Sequence, residues 1–155
     1  MSPDLPPMQH STSWVLGIGL RARCPAASLF SLVTRITADH GLAITDLAGV
    51  ATWQARIQAP AIHALAASLD CSIVGLERAE LTRVGPRVLT RSPRLRARIG
   101  IDSVAEAAAL VLADRLAGGQ PGVLAGPRWQ TDLATAALAT CATDSAIDNV
   151  NYPLD

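Results

Sequence analysis

Guanidinium and hydroxyl groups supply most of the chemistry this chain can do. Arg21 and Arg23 follow one glycine-bearing apolar run, Gln54 and Arg56 follow a second, and Arg91 and Ser92 precede Ser103. Seven arginines (Arg78, Arg83, Arg87, Arg91, Arg94, Arg96 and Arg98) fall within residues 78–98, with Glu80 as the only acid among them. Lysine is absent, so no side-chain amine can form a Schiff base. Arginine pairs bidentately with planar carboxylates and stays protonated. Such a set suits a ligand with several carboxylates and is poorly suited to moving protons. Trp53 and Trp129 are candidates to flank an aromatic or macrocyclic ligand, with simple packing as the alternative. Glu106 is a weak catalytic candidate, as a general acid or base; its alternative role is a helix cap.

The remaining reactive side chains form no pattern. Cys24, Cys71 and Cys141 are widely spaced with no CxxC pair, which suits a reducing compartment better than a disulfide framework. Cys24 precedes Pro25 at a helix start, a place where a thiol pKa can fall, but no histidine accompanies it. His10, His40 and His63 lack metal-ligand spacing. No resident metal or cofactor is expected.

Composition bounds the rest. The chain has 155 residues, half of them apolar, enough for one domain with a core. Formal net charge is zero, which argues against nucleic acid or an anionic membrane as partner of the whole molecule. The acidic, proline-rich start is not of signal-peptide type, and no apolar run reaches membrane-spanning length. A cytoplasmic location is expected.

The elements that must position these groups read as an α/β fold. Residues 14–20 (WVLGIGL) form a buried strand in which Gly17 and Gly19 mark a close crossing or a ligand beside the backbone. Pro25 starts a helix with Leu29, Leu32, Val33 and Ile36 on one face, closed at Gly41. Strands follow at residues 49–53 and 71–76, with a helix from Pro60 between them and a helical turn at residues 77–81. A basic loop then carries a short helix from Pro93, capped by Ser92. The clearest helix occupies residues 100–117: Ser103 caps it, Glu106 stands where a capping box wants a carboxylate, and Gly118-Gly119 stops it. Its free N-terminal amides are a candidate site for an anion. Residues 121–125 form a short strand and residues 126–130 a turn. Residues 133–141 (LATAALATC) read as helix by alanine content and as strand by hairpin pairing. The organisation is a flexible arm at 1–12, one α/β domain at 13–142 and a mobile tail at 143–155. The expected architecture is a three-layer α/β/α sandwich around a mixed, partly parallel sheet of about five strands. Ligands in such sheets sit beyond the carboxyl ends of the strands.

Four stretches, VLGIGLRARCP, VATWQARIQAP, TRSPRLRARIGIDSVAEAAAL and GPRWQTDLATAALA, give residues 14–141 a resemblance to a cobalamin-biosynthesis family. That family includes CobE and the C-terminal domain of CbiG, the cobalt-precorrin-5A hydrolase. The resemblance implies a part in building the corrin ring, by binding or processing a precorrin. It also implies a strand at residues 134–139. In hydrolase relatives a lactone is opened and acetaldehyde leaves; docking onto another enzyme of the pathway is a further possibility for a member without catalysis. The family's lysine-containing acidic segment after the second strand is matched here by residues 53–60 without lysine or acid, and its later lysine by Arg128. These replacements favour binding over turnover. On this reading Gly17, Gly19, Arg21, Arg23, Trp53, Gln54, Arg56, Arg91, Ser92, Ser103 and Arg128 surround a many-armed carboxylate ligand.

Overall fold

The computed structural model describes residues 10–69, 71–118 and 120–144. Their order is β1 (His10–Leu20), α1 (Ala26–Asp39), β2 (Gly49–Trp53), α2 (Pro60–Ala66), β3 (Ile73–Leu76), α3 (Arg78–Arg83), α4 (Pro93–Ile99), α5 (Val104–Leu116), β4 (Val123–Leu124), β5 (Trp129–Gln130) and β6 (Ala134–Asp144). Most of the expected arm and tail lies outside the described residues. β1 and β6 both run past the expected domain limits, pairing as far as His10 opposite Asp144.

One mixed sheet runs β3-β2-β1-β6-β4, with β5 also paired to β6. β1, β2 and β3 are parallel, as βαβ crossovers through α1 and α2 require. β6 lies antiparallel to β1 with Leu138 opposite Leu16 and Ala134 opposite Leu20. This settles residues 134–144 as strand. Ladder partners on both sides outweigh the helical preference of alanine, a preference of only a few tenths of a kcal/mol per residue. The sheet is the mixed α/β sheet expected from the sequence, with β5 as a sixth, two-residue strand where a plain turn was expected.

Alternating side chains of the sheet feed two cores. Leu16, Ile18, Val50 and Leu138 join Leu29, Leu32, Val33 and Ile36 of α1 and Ile62 and Leu65 of α2. Val15, Ala51 and Ala139 face α5 on the opposite side. Each fully buried Leu, Val or Ile contributes about 1.5–3 kcal/mol relative to exposure, so both layers are firmly held. α5 is buried from Val104 through Ala113: the sheet covers one face, and α3 with Val84 and Val88 covers the other.

Small residues set how closely α5 approaches. Ala105, Ala107, Ala108, Ala109 and Ala113 are all fully buried. A methyl group at Gly17 would collide with the Ala105 carbonyl oxygen and the Ala109 amide, so β1 touches the helix backbone there. Gly17 therefore serves the close helix–sheet crossing, one of the two readings of its place in the strand, and leaves no space for the ligand that was the other.

Candidate functional site

The cleft that the fold builds lies at the carboxyl ends of β1 and β2, against the start of β6. It has a volume of about 590 Å3, inside the ~300–1,000 Å3 span usual for small-molecule sites. Six arginines line it: Arg21, Arg23, Arg56, Arg94, Arg98 and Arg128. Asp132 is the only acid of the lining among the described residues. Apolar surface comes from Leu20, Trp53, Leu95, Ile99, Val104 and Leu133. A cationic rim over an apolar wall fits a flat, partly apolar ligand with carboxylate arms.

Local folding fixes most of these side chains. The Arg21 backbone amide donates to Leu133 O at 2.9 Å, extending the β1–β6 pairing, and its Nε donates to Asp132 O at 3.2 Å. The chain after β2 makes a 3-10 turn at Gln54–Arg56. That turn sends Arg56 back across the sheet, where its Nε donates to Leu20 O at 3.0 Å and its guanidinium lies 5.7 Å from the Trp53 ring centroid. Thr131 Oγ1 accepts the Leu133 and Ala134 amides, shaping the turn into β6. Gly19 sits under the cleft, where an added methyl would press on Thr135 Oγ1 and Val104 Cβ.

Glu106 has a different task from the one its spacing suggested. Ser103 does cap α5, accepting the Glu106 amide at 3.3 Å, but the Glu106 carboxylate does not return to the Ser103 amide. Its Oε1 accepts the Leu89 and Thr90 amides at 2.7 and 2.9 Å. Its Oε2 accepts the Thr90 hydroxyl at 2.6 Å and the Arg128 amide at 2.8 Å. It is fully buried and absent from the cleft wall. Four donors converge on an acceptor-only group, which clasps the basic loop to the turn carrying Arg128.

The start of α5, where an anion site was expected, is tied to the basic loop. Residues 101–104 are buried, with Val104 on the cleft wall, and Asp102 holds the segment before α4. It accepts the Ser92 amide at 3.1 Å and pairs with Arg91 Nη1 at 3.1 Å. The Ser92 amide, helped by the Arg91 guanidinium, holds the Asp102 carboxyl below the ordinary carboxylate range. Arg91 also donates to the carbonyls of Gly85 and Pro86. Arg87 is spent in the same manner on Asp114, bidentately at 2.7 and 3.0 Å, and on Gly122 O.

The structure thus gathers Gly19, Arg21, Arg23, Trp53, Arg56, Ser92 and Arg128 around one cleft. Gly17, Gln54, Arg91, Ser103 and Glu106 do not line it, and neither does Trp129. Gln54 turns toward Gly75 of β3. Arg94 and Arg98 line the cleft but were not singled out in the sequence; their signal was the four-residue spacing on a helix already expected from Pro93. Cys24 is buried, and burial raises its thiol pKa, the opposite of an activated nucleophile. Among the described residues no group of His, Cys, Asp and Glu could hold a metal ion, and no helix is long and apolar enough to cross a membrane.

Known proteins share this fold. The family model described as "Cobalamin synthesis G C-terminus" matches residues 14–139. A Sinorhizobium sp. relative, "Protein CobE", is 36% identical over 146 residues, covering 90% of this chain and 92% of its own. A crystal structure of CobE, described as a protein from the cobalamin (vitamin B12) biosynthetic pathway, superimposes with a TM-score of 0.80 at 35% identity. That match covers 86% of this chain and 97% of the other. The cobalamin biosynthesis protein chiG from Agrobacterium tumefaciens str. C58 gives a TM-score of 0.54 at 26% identity, covering 81% of this chain and 96% of that one. A family model matched across the sheet, from Trp14 in β1 to Ala139 in β6, and relatives aligned nearly end to end lead to one assignment: the chain is a CobE-like member of the CobE/CbiG C-terminal family of cobalamin biosynthesis.

Proposed function

We propose that the arginine-lined cleft is where this CobE-type protein of cobalamin biosynthesis holds a precorrin. The observation that carries the reading is the convergence of six arginines and one acid on a cleft with an apolar wall. Precorrins join acetate and propionate arms to a flat macrocycle, and each arm is a planar carboxylate that a guanidinium can grip bidentately. The open mouth lets one edge of the ring enter while the other stays in solvent.

Holding the ligand is better supported than transforming it. Among the described residues the lining contains no histidine, cysteine or glutamate, and its arginines stay protonated. Lactone opening needs a group that moves a proton, and Asp132 alone is available for it.

Titration of purified protein with hydrogenobyrinic acid, followed by the pigment spectrum, tests the reading. Saturable binding with a Kd of micromolar order (about −8 kcal/mol) is expected, weakening as salt rises. Absence of binding at tens of micromolar overturns it. Stoichiometric acetaldehyde release from a lactone-bearing precorrin would move the assignment from carrier to hydrolase.

A further inference from the structure

We infer that Arg94 and Arg98 of α4 are the specificity-determining pair of the cleft, reading two neighbouring carboxylate arms on one ring of the ligand. The inference rests on the binding function proposed above and deepens it.

Of the seven arginines in residues 78–98, only Arg94 and Arg98 line the cleft. Arg87 and Arg91 are consumed by Asp114 and Asp102, and Arg96 faces a smaller cavity beside Asp102. The Arg94 and Arg98 side chains are exposed and make no hydrogen bond or ion pair to another described residue. Arg21, Arg56 and Arg128, by contrast, each already hold a hydrogen-bond acceptor of the chain. Arg23 is likewise exposed and makes no side-chain hydrogen bond to another described residue, so two of the three free guanidinium groups of the cleft, a neighbouring pair on one helix, belong to α4.

Their spacing specifies what they can grip. Residues four apart on a helix have Cβ atoms about 5–6 Å from each other on one face. Two guanidinium groups so placed match two carboxylates rooted on adjacent carbons, as an acetate and a propionate are on one pyrrole ring. The pair is also unfavourable when empty. Like charges at this spacing weaken a helix, and α4 (PRLRARI) contains no acid to relieve them and no fully buried residue to compensate. A dianionic edge cancels that repulsion.

The fold holds this helix in place without using the two side chains. Asp102 accepts the Ser92 amide, so one carboxylate ties the residue before α4 to the residues after it. Ser92 Oγ caps the helix at the Leu95 amide. Gly100, with φ of 79°, ends it. Leu95 and Ile99 pack inward. Arg94 and Arg98 are left with no structural duty.

The test compares two porphyrin probes by fluorescence titration. Uroporphyrin carries an acetate and a propionate side by side on every ring, whereas coproporphyrin carries single propionates. The wild-type protein is expected to prefer uroporphyrin at least tenfold. Arg94→Gln with Arg98→Gln should lose at least tenfold for uroporphyrin and less than threefold for coproporphyrin, erasing the preference. A control double variant outside the cleft, Arg78→Gln with Arg83→Gln, removes the same charge and should change neither. Equal losses for both probes in the α4 variant, or a matching loss in the control, would reduce the effect to general charge and overturn the inference while leaving the binding function intact. Failure of the wild-type protein to bind either porphyrin or hydrogenobyrinic acid would overturn the binding function itself, and the inference with it.

Discussion

The Glu106 carboxylate holds the Arg128 backbone amide at 2.8 Å, so a fully buried side chain in α5 sets the position of an arginine on the cleft wall. The other oxygen holds the Leu89 and Thr90 amides, at the head of the segment leading to α4. Two walls of the cleft are thereby referred to one rigid point.

Replacing that carboxylate by a carboxamide should be costly. In Glu106→Gln, one acceptor becomes an NH2 group facing donors, and each buried donor left unmet costs about 1–3 kcal/mol. A stability loss of about 3 kcal/mol or more is expected in urea unfolding. A loss below about 1 kcal/mol would show that the clasp is not what holds these segments.

Arg128 offers the reverse case, a change that spares the fold and harms binding. Its Nε is buried with no hydrogen-bond partner among the described residues, a cost to the fold, while its Nη2 lies exposed beside Gln130 on the cleft wall. Arg128→Gln is expected to keep or slightly raise the melting temperature while weakening precorrin affinity about tenfold, or ~1.4 kcal/mol. Unchanged affinity would remove Arg128 from the ligand's partners.

Gly17 and Gly19 should separate in the same way. Gly17→Ala drives a methyl into the backbone of α5, and overpacking of that kind costs about 1–3 kcal/mol or more. Gly19→Ala meets the Thr135 hydroxyl and the Val104 side chain, which can shift by small amounts at the floor of the cleft. Thermal melts should show the larger loss for Gly17→Ala, and titrations the larger affinity change per unit of lost stability for Gly19→Ala.

The Arg87–Asp114 pair predicts a pH signature. Burial raises the Asp114 pKa, but the Arg87 guanidinium and the Gly122 amide together outweigh it and leave the carboxyl below its ordinary value. A depressed folded pKa means that the stabilisation is present above the unfolded value of about 3.9 and is lost as pH falls through the folded one. Asp114→Asn should therefore be less stable at pH 7, by about 1 kcal/mol for a partly exposed bidentate pair. The gap should close as the pH falls through the depressed folded value of Asp114. A gap that persists at pH 2 would assign the loss to packing instead.

How much of this was legible depended on whether the deciding partner was local. The Ser103 and Ser92 caps, Pro25, Pro60 and Pro93 at helix starts, and the β2 run all act within a few residues and were readable. The strand at Ala134–Asp144 was not settled by its residues, because its alternation of small side chains is decided by β1, far away in the chain. Glu106 shows the same limit. Its spacing from Ser103 fits a capping box, yet distant amides from residues 89, 90 and 128 win its oxygens. The arginines are the sharpest example. Identical in type, they divide into ion-pair members and cleft members according to where Asp102 and Asp114 fall in space. Only the helical spacing of Arg94 and Arg98 marked them out.

The tie between Ser92 and Asp102 has an engineering consequence. Because the chain leaves and rejoins the scaffold at a single carboxylate, the intervening segment behaves as a cassette, exchangeable between relatives at fixed anchor points. Ring preference can then be retuned by transplanting that cassette with Leu95, Ile99 and Ile101 kept, since these pack against the α5 core.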